Sequence, residues 1–173
     1  MALSTSQRGV LTGMAGALAL TLAAAAITVV LQPFAMHSLE SRAHLLVLCW
    51  LAPAATLAFC VARLARHRFT TPDDIDGSAL TTGTARAREL QALLQNTLEQ
   101  SALCLPVYAA WTVLAPSHLT GLSATAALLF LFGRMLFYRG YPRGAPARAF
   151  GFALTFYPTL LLLAGALTLA VIG

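Results

Sequence analysis

Gly9-Val-Leu-Thr-Gly-Met-Ala-Gly-Ala-Leu-Ala-Leu-Thr-Leu-Ala-Ala-Ala-Ala-Ile-Thr-Val-Val-Leu31 contains no charged side chain, and none occurs between Arg8 and Glu40. A helix rises about 1.5 Å per residue and a bilayer core is about 30 Å thick, so roughly 20 such residues cross it. Four further segments approach that length, at about Leu45 to Ala62, Ala87 to Ala115, Leu122 to Tyr138 and Ala149 to Ile172. The reading is an all-α polytopic membrane helix bundle.

Composition agrees. Of 173 residues, 58% are hydrophobic and 10% charged, and the mean hydropathy is +0.75. Soluble domains average about 25% charged residues, so too few polar groups exist here to cover a soluble surface. The net charge is +5. It forms no basic stripe beside a soluble core, which argues against nucleic acid. Cys49, Cys60 and Cys104 fall in apolar runs and read as buried small hydrophobes, not as a disulfide framework or metal ligands. The histidines at 37, 44, 67 and 118 do not converge on a metal site.

The first segment has a rival reading as a secretory signal peptide, carried by Arg8 and the run Leu22 to Ala26. Its uncharged stretch exceeds the usual apolar region of about 7–15 residues, which favours a retained helix. Gly9 and Gly13 form a small-residue pair suited to close helix packing.

Every basic side chain other than histidine is an arginine. Arg8 precedes the first segment; Arg63, Arg66, Arg68, Arg86 and Arg88 follow the second; Arg134, Arg139, Arg143 and Arg148 surround the fourth connection. Only Arg42 lies on the opposite side. The positive-inside rule therefore places the N-terminus in the cytoplasm and the C-terminus outside. The absence of Lys beside abundant Ala and Arg points to a bacterial inner membrane. Asp73, Asp74 and Asp76 lie in the longest polar connection, but their spacing is not that of a calcium loop, and turn formation with solvation explains them.

The third segment is not a plain span. Arg88-Glu-Leu-Gln-Ala-Leu-Leu-Gln-Asn-Thr-Leu-Glu-Gln-Ser101 precedes the continuously apolar Ala102 to Ala115, which covers only roughly 21 Å. Counting back from Pro116 puts Glu99 about 5 Å inside the membrane boundary, where a carboxylate needs partners. Asn96 and Glu99 share a helix face, and Arg134 has a similar depth, so a Glu99–Arg134 ion pair is expected. The connection Gly133 to Arg148 holds four arginines with Tyr138 and Tyr141. It reads as interfacial anchoring, or as an anion pocket of Arg forks and Tyr hydroxyls in which a bound thiol ionises.

Leu94-Gln-Asn-Thr-Leu-Glu-Gln100, followed about 35 residues later by Arg134-Met-Leu-Phe-Tyr-Arg-Gly-Tyr141 and then Arg148, resembles the MAPEG family. These are the membrane-associated proteins of eicosanoid and glutathione metabolism. The resemblance divides the chain into an N-terminal transmembrane helix and connection, residues 1–43, and a MAPEG-like four-helix domain, residues 44–173. It implies a homotrimer that binds glutathione as cosubstrate between subunits near the cytoplasmic face. It implies Arg148 as the catalytic residue that stabilises the thiolate, and Asn96, Glu99, Arg134 and Tyr141 as binding residues. Three positions depart from the family pattern: Ala92 and Phe137 replace an Arg and a Tyr, and Gln100 replaces a frequent Tyr. The activity implied is a glutathione-dependent transferase or peroxidase acting on lipophilic small molecules. The alternative is a non-catalytic lipid-binding or scaffold protein of the same fold. A transporter is disfavoured because no inverted repeat is visible.

Overall fold

The computed structural model describes residues 3–77 and 80–172. Five long helices contain most of the described chain: α1 (Thr5–Leu31), α2 (Leu39–Thr70), α3 (Ala85–Leu114), α4 (Gly121–Gly140) and α5 (Ala145–Ile172). Four helical segments are long and apolar enough to cross a membrane: α1, α2, Ser117–Arg143 containing α4, and α5. The fifth helix, α3, falls outside that criterion because its first half is polar. It is nevertheless one unbroken helix.

The helices extend beyond their apolar runs, α2 most of all. Hydropathy marks the membrane-buried stretch, whereas helix ends are set by caps. Ser4 and Gln7 form a reciprocal capping box at α1. The Ser38 hydroxyl accepts from Ser41 N–H at α2, and the Thr84 hydroxyl accepts from Ala87 N–H at α3. Each cap satisfies a backbone donor that has no partner within the helix.

Around the bundle α3 packs on α2, α2 on α4, α4 on α5, and α5 back on α3. The first helix lies along α5 and also touches α4. The small-residue face of α1 makes this possible. A Cβ on Gly13 would sit 3.0 Å from the Phe150 nitrogen and 3.2 Å from the Ala149 Cβ. The crossing of α4 and α5 is equally close, since a Cβ on Gly133 would lie 2.9 Å from the Gly151 carbonyl oxygen. Small residues let apolar helices approach within van der Waals reach where no hydrophobic driving force separates them from lipid.

Ten arginines gather towards one end of the bundle. At the other end, Arg42 donates to the carbonyl oxygens of Thr112 and Val113, both at 3.0 Å, and of Ala115 at 2.8 Å. These are carbonyls at the C-terminus of α3, and a cation there also meets the negative end of the helix dipole. The one arginine out of place is a cap.

At the arginine-rich end, the connection between α2 and α3 corrects one expectation. Asp74 is buried rather than solvated. Its carboxylate accepts from Thr84 N–H at 2.7 Å and from the Thr84 hydroxyl at 2.6 Å, and it pairs with His67 Nε2 at 2.9 Å. The hydrogen bonds from Thr84 hold the carboxyl below its ordinary range, with a smaller contribution from His67. Asp74 thus pins the loop to the residue that starts α3.

Candidate functional site

The polar half of α3 faces Arg134 of α4, whose side chain is fully buried. Its Nη1 donates to Asn96 Oδ1 at 2.9 Å and its Nη2 to Thr97 Oγ1 at 3.0 Å. The guanidinium carbon lies 4.2 Å from the Phe137 ring centroid and 5.4 Å from that of Tyr138. Its Nε has no hydrogen-bond partner. Burying a cation costs several kcal/mol. Two hydrogen bonds to a charged group at about 1.5–3 kcal/mol each, together with contact to aromatic faces, offset much of that cost.

Among the described residues the ion pairs are His67–Asp74 and Arg86–Glu89. The expected Glu99–Arg134 pair does not form. Successive residues turn about 100° around a helix. Arg134 is bonded to both Asn96 and Thr97 and therefore points midway between them. Glu99 lies about 110° away from that direction. It is exposed, and its carboxylate accepts from Gln95 Nε2 at 3.0 Å.

Asn96, Tyr141 and Arg148 line one cavity of about 390 Å³, with Phe137, Phe152 and Met14 among its walls. Glu99 is not part of it, and Arg134 stands behind Asn96. Because a guanidinium only donates, Asn96 turns its oxygen to Arg134 and leaves its amide N–H groups for the cavity. The Arg148 guanidinium lies 4.4 Å over the Tyr141 ring, which meets Phe137 edge-on at 5.4 Å between centroids. Ala145, the first residue of α5, also borders the space, so the positive end of that helix faces it. The cavity offers donors and positive charge, and no carboxylate lines it. Its chemistry suits an anionic ligand with apolar parts.

A second network was not signalled by residue type. Thr97 donates to the Leu93 carbonyl at 2.7 Å and lies 3.1 Å from the Tyr138 hydroxyl. The Cys60 thiol donates to that hydroxyl at 2.9 Å. The signal available in the sequence was Tyr138 standing one position from Phe137, about 100° around α4. Phe137 faces the cavity, while Tyr138 faces α2.

The model of the MAPEG family matches residues 43–168, well over half of the chain. The chain belongs to the MAPEG family. No curated protein matches it.

The match leaves α1 outside, yet Val10 and Met14 of that helix line the cavity. The three departures from the MAPEG pattern have distinct settings. Phe137 keeps an aromatic wall without a hydroxyl. Gln100 is buried and accepts from the Thr155 hydroxyl at 3.4 Å. Ala92 borders a different cavity of about 330 Å³, whose lining includes Arg68 and Arg88.

Proposed function

We propose that this integral membrane MAPEG protein binds glutathione in the cavity between α1, α3, α4 and α5, and acts as a glutathione-dependent transferase or peroxidase on lipophilic electrophiles. The observation that carries the reading is the convergence of Asn96, Tyr141 and Arg148 on one acid-free, donor-lined space. A volume of about 390 Å³ falls in the range of small-molecule sites, about 300–1,000 Å³. Glutathione would supply the nucleophilic sulfur. Arg148 places a fixed positive charge where a thiolate is held, which lowers the thiol's pKa and raises the fraction in the reactive form. Asn96 donates its amide hydrogens to a carboxylate or carbonyl of the tripeptide, and Tyr141 donates its hydroxyl. Arg134 is the positioning residue that fixes the Asn96 amide. Met14, Phe137 and Phe152 provide an apolar wall for a lipophilic second substrate.

Assembly into a homotrimer is part of the proposal. On α3, Gln95, Glu99, Ala102, Pro106 and Val113 are exposed. Their steps of four, three, four and seven trace the seam of a heptad repeat, the pattern by which helices pack against copies of themselves. An exposed Glu99 within the bilayer is costly against lipid and acceptable against protein. Packing of three α3 helices covers that seam and brings Glu99 to a subunit boundary, where it can hold the ligand's amino group. Residues 44–173 then form the MAPEG-like four-helix domain and residues 1–43 an added transmembrane helix and connection. The gathering of arginines at one end supports an N-terminus in the cytoplasm and a C-terminus in the periplasm of a bacterial inner membrane.

Thermal unfolding with increasing glutathione tests the reading. Binding at one hundred times Kd adds about 2.7 kcal/mol to stability. A saturable rise for the wild type that is lost in Arg148→Ala is expected. Absence of any rise at millimolar glutathione contradicts it.

A further inference from the structure

Cys60 and Tyr138 lead to the face of the bundle opposite the thiol cavity, where α2 and α4 run side by side. A groove of about 410 Å³ lies between them, lined by Ala55, Phe59 and Arg63 of α2 and by Leu131, Met135 and Arg139 of α4. The two helices run in the same direction, since both start at the end capped by Arg42. Their lining residues follow the same step. Residues 55, 59 and 63 match 131, 135 and 139 as successive turns, small or apolar first and arginine last.

The tyrosine hydroxyl fixes the relative height, because Tyr138 reaches Cys60 of α2. Arg63 and Arg139 therefore stand at a common level, roughly 12 Å along the helices from the groove's apolar end. Phe59 is stacked on Tyr138 at 5.9 Å between centroids, and the Arg63 guanidinium lies 5.5 Å over the Phe59 ring. Arg139 is exposed and makes no hydrogen bond or ion pair with any described residue. Neither arginine has a carboxylate partner among the described residues. Phe59, Leu131 and Met135 are 50%, 38% and 44% exposed.

An apolar trough that ends in two arginines without carboxylate partners, at the level where helices leave the bilayer, matches one kind of molecule. We propose that the α2–α4 groove binds an anionic phospholipid from the leaflet on the arginine-rich side, with its phosphodiester between Arg63 and Arg139 and an acyl chain along Phe59, Leu131 and Met135. Guanidinium groups pair with phosphate oxygens through two parallel hydrogen bonds. The charge complementarity selects an anionic headgroup, and the apolar trough requires a chain attached to it. The positive-inside rule accounts for arginines at this end but not for two of them at matched heights on one groove. The site is independent of the thiol reading, because α4 separates it from the cavity of Asn96, Tyr141 and Arg148.

The test is thermal unfolding of the full-length protein in detergent, titrated with dispersed phosphatidylglycerol, phosphatidylcholine or inorganic phosphate. Phosphatidylglycerol is expected to raise Tm saturably and phosphatidylcholine is not. A basic side chain near a membrane surface contributes about 1 kcal/mol to anionic lipid binding, or about five-fold in affinity. Arg63→Ala/Arg139→Ala is thus expected to shift the half-saturating concentration by roughly 25-fold. Arg66→Ala/Arg143→Ala, with the same loss of charge outside the groove, is expected to shift it far less. Arg139→Gln removes a side chain without protein partners and keeps the question open to measurement if the double variant fails to fold, with about a five-fold shift expected. Equal shifts in the two double variants, equal responses to the two lipids, or a response to inorganic phosphate alone would overturn the proposal.

Discussion

The Arg134 guanidinium, fully buried in α4, donates to the Asn96 side-chain oxygen of α3 at 2.9 Å. This bond joins two helices and sets which atoms of Asn96 face the cavity. It takes the place of the ion pair that depth alone suggests.

Truncation of Asn96 leaves the buried guanidinium with one fewer partner. Asn96→Ala is therefore expected to destabilise the protein by about 1.5–3 kcal/mol, the usual worth of a hydrogen bond to a charged group. Arg134→Met removes the cation altogether, so the double variant is expected to be no less stable than Arg134→Met alone. Unfolding of the four proteins in one detergent checks this. Additive losses would mean that the two residues are not coupled.

Packing of α1 on α5 depends on the absence of side chains at its small-residue face. Gly13→Leu forces atoms into the Phe150 backbone and is expected to cost about 1–3 kcal/mol as overpacking. Gly16→Ala is expected to be near neutral, because its Cβ would meet the Phe150 ring at 3.4 Å, an ordinary contact. Comparison of Tm for the two variants distinguishes a packed α1 from one free in the lipid. A packed α1 also means that Gly13→Leu alters the cavity wall formed by Val10 and Met14.

The sequence made the number of helices legible, because lipid demands long apolar runs and little else produces them. It also made legible which end collects the arginines. Asn96, Tyr141 and Arg148 were found as members of a motif, and they share one cavity. The angular position of Glu99 was not legible. Counting residues from a boundary gives depth, whereas the partner of a buried arginine depends on how each helix is rotated in the bundle. The joining of Thr97, Tyr138 and Cys60 in one network was not legible for another reason. Threonine and cysteine are ordinary residues in membrane helices, and only contact between α2, α3 and α4 turns them into a network. The burial of Asp74 likewise depends on a loop that folds back on Thr84, which no periodicity announces.

Asp74 gives a pH signature. Its carboxyl titrates below the usual carboxylate range in the folded protein, so the unfolded chain takes up the proton first as pH falls. The stability it contributes is complete above the unfolded value of about 3.9 and is lost as pH drops through the lower folded value. Asp74→Asn is expected to be less stable than the wild type at neutral pH, and the gap is expected to close under acid conditions. A gap that stays constant from neutral to strongly acid pH would remove Asp74 as the loop's pin.

Proton release on glutathione binding tests the central claim most directly. A free thiol has a pKa of about 8.5 and is mostly protonated at pH 7. If Arg148 holds the ligand as thiolate, titration calorimetry in buffers of different ionisation enthalpy will show about one proton released per bound glutathione. Arg148→Ala will show far less. Binding heats that do not depend on the buffer, or a release unaffected by Arg148→Ala, would contradict the account.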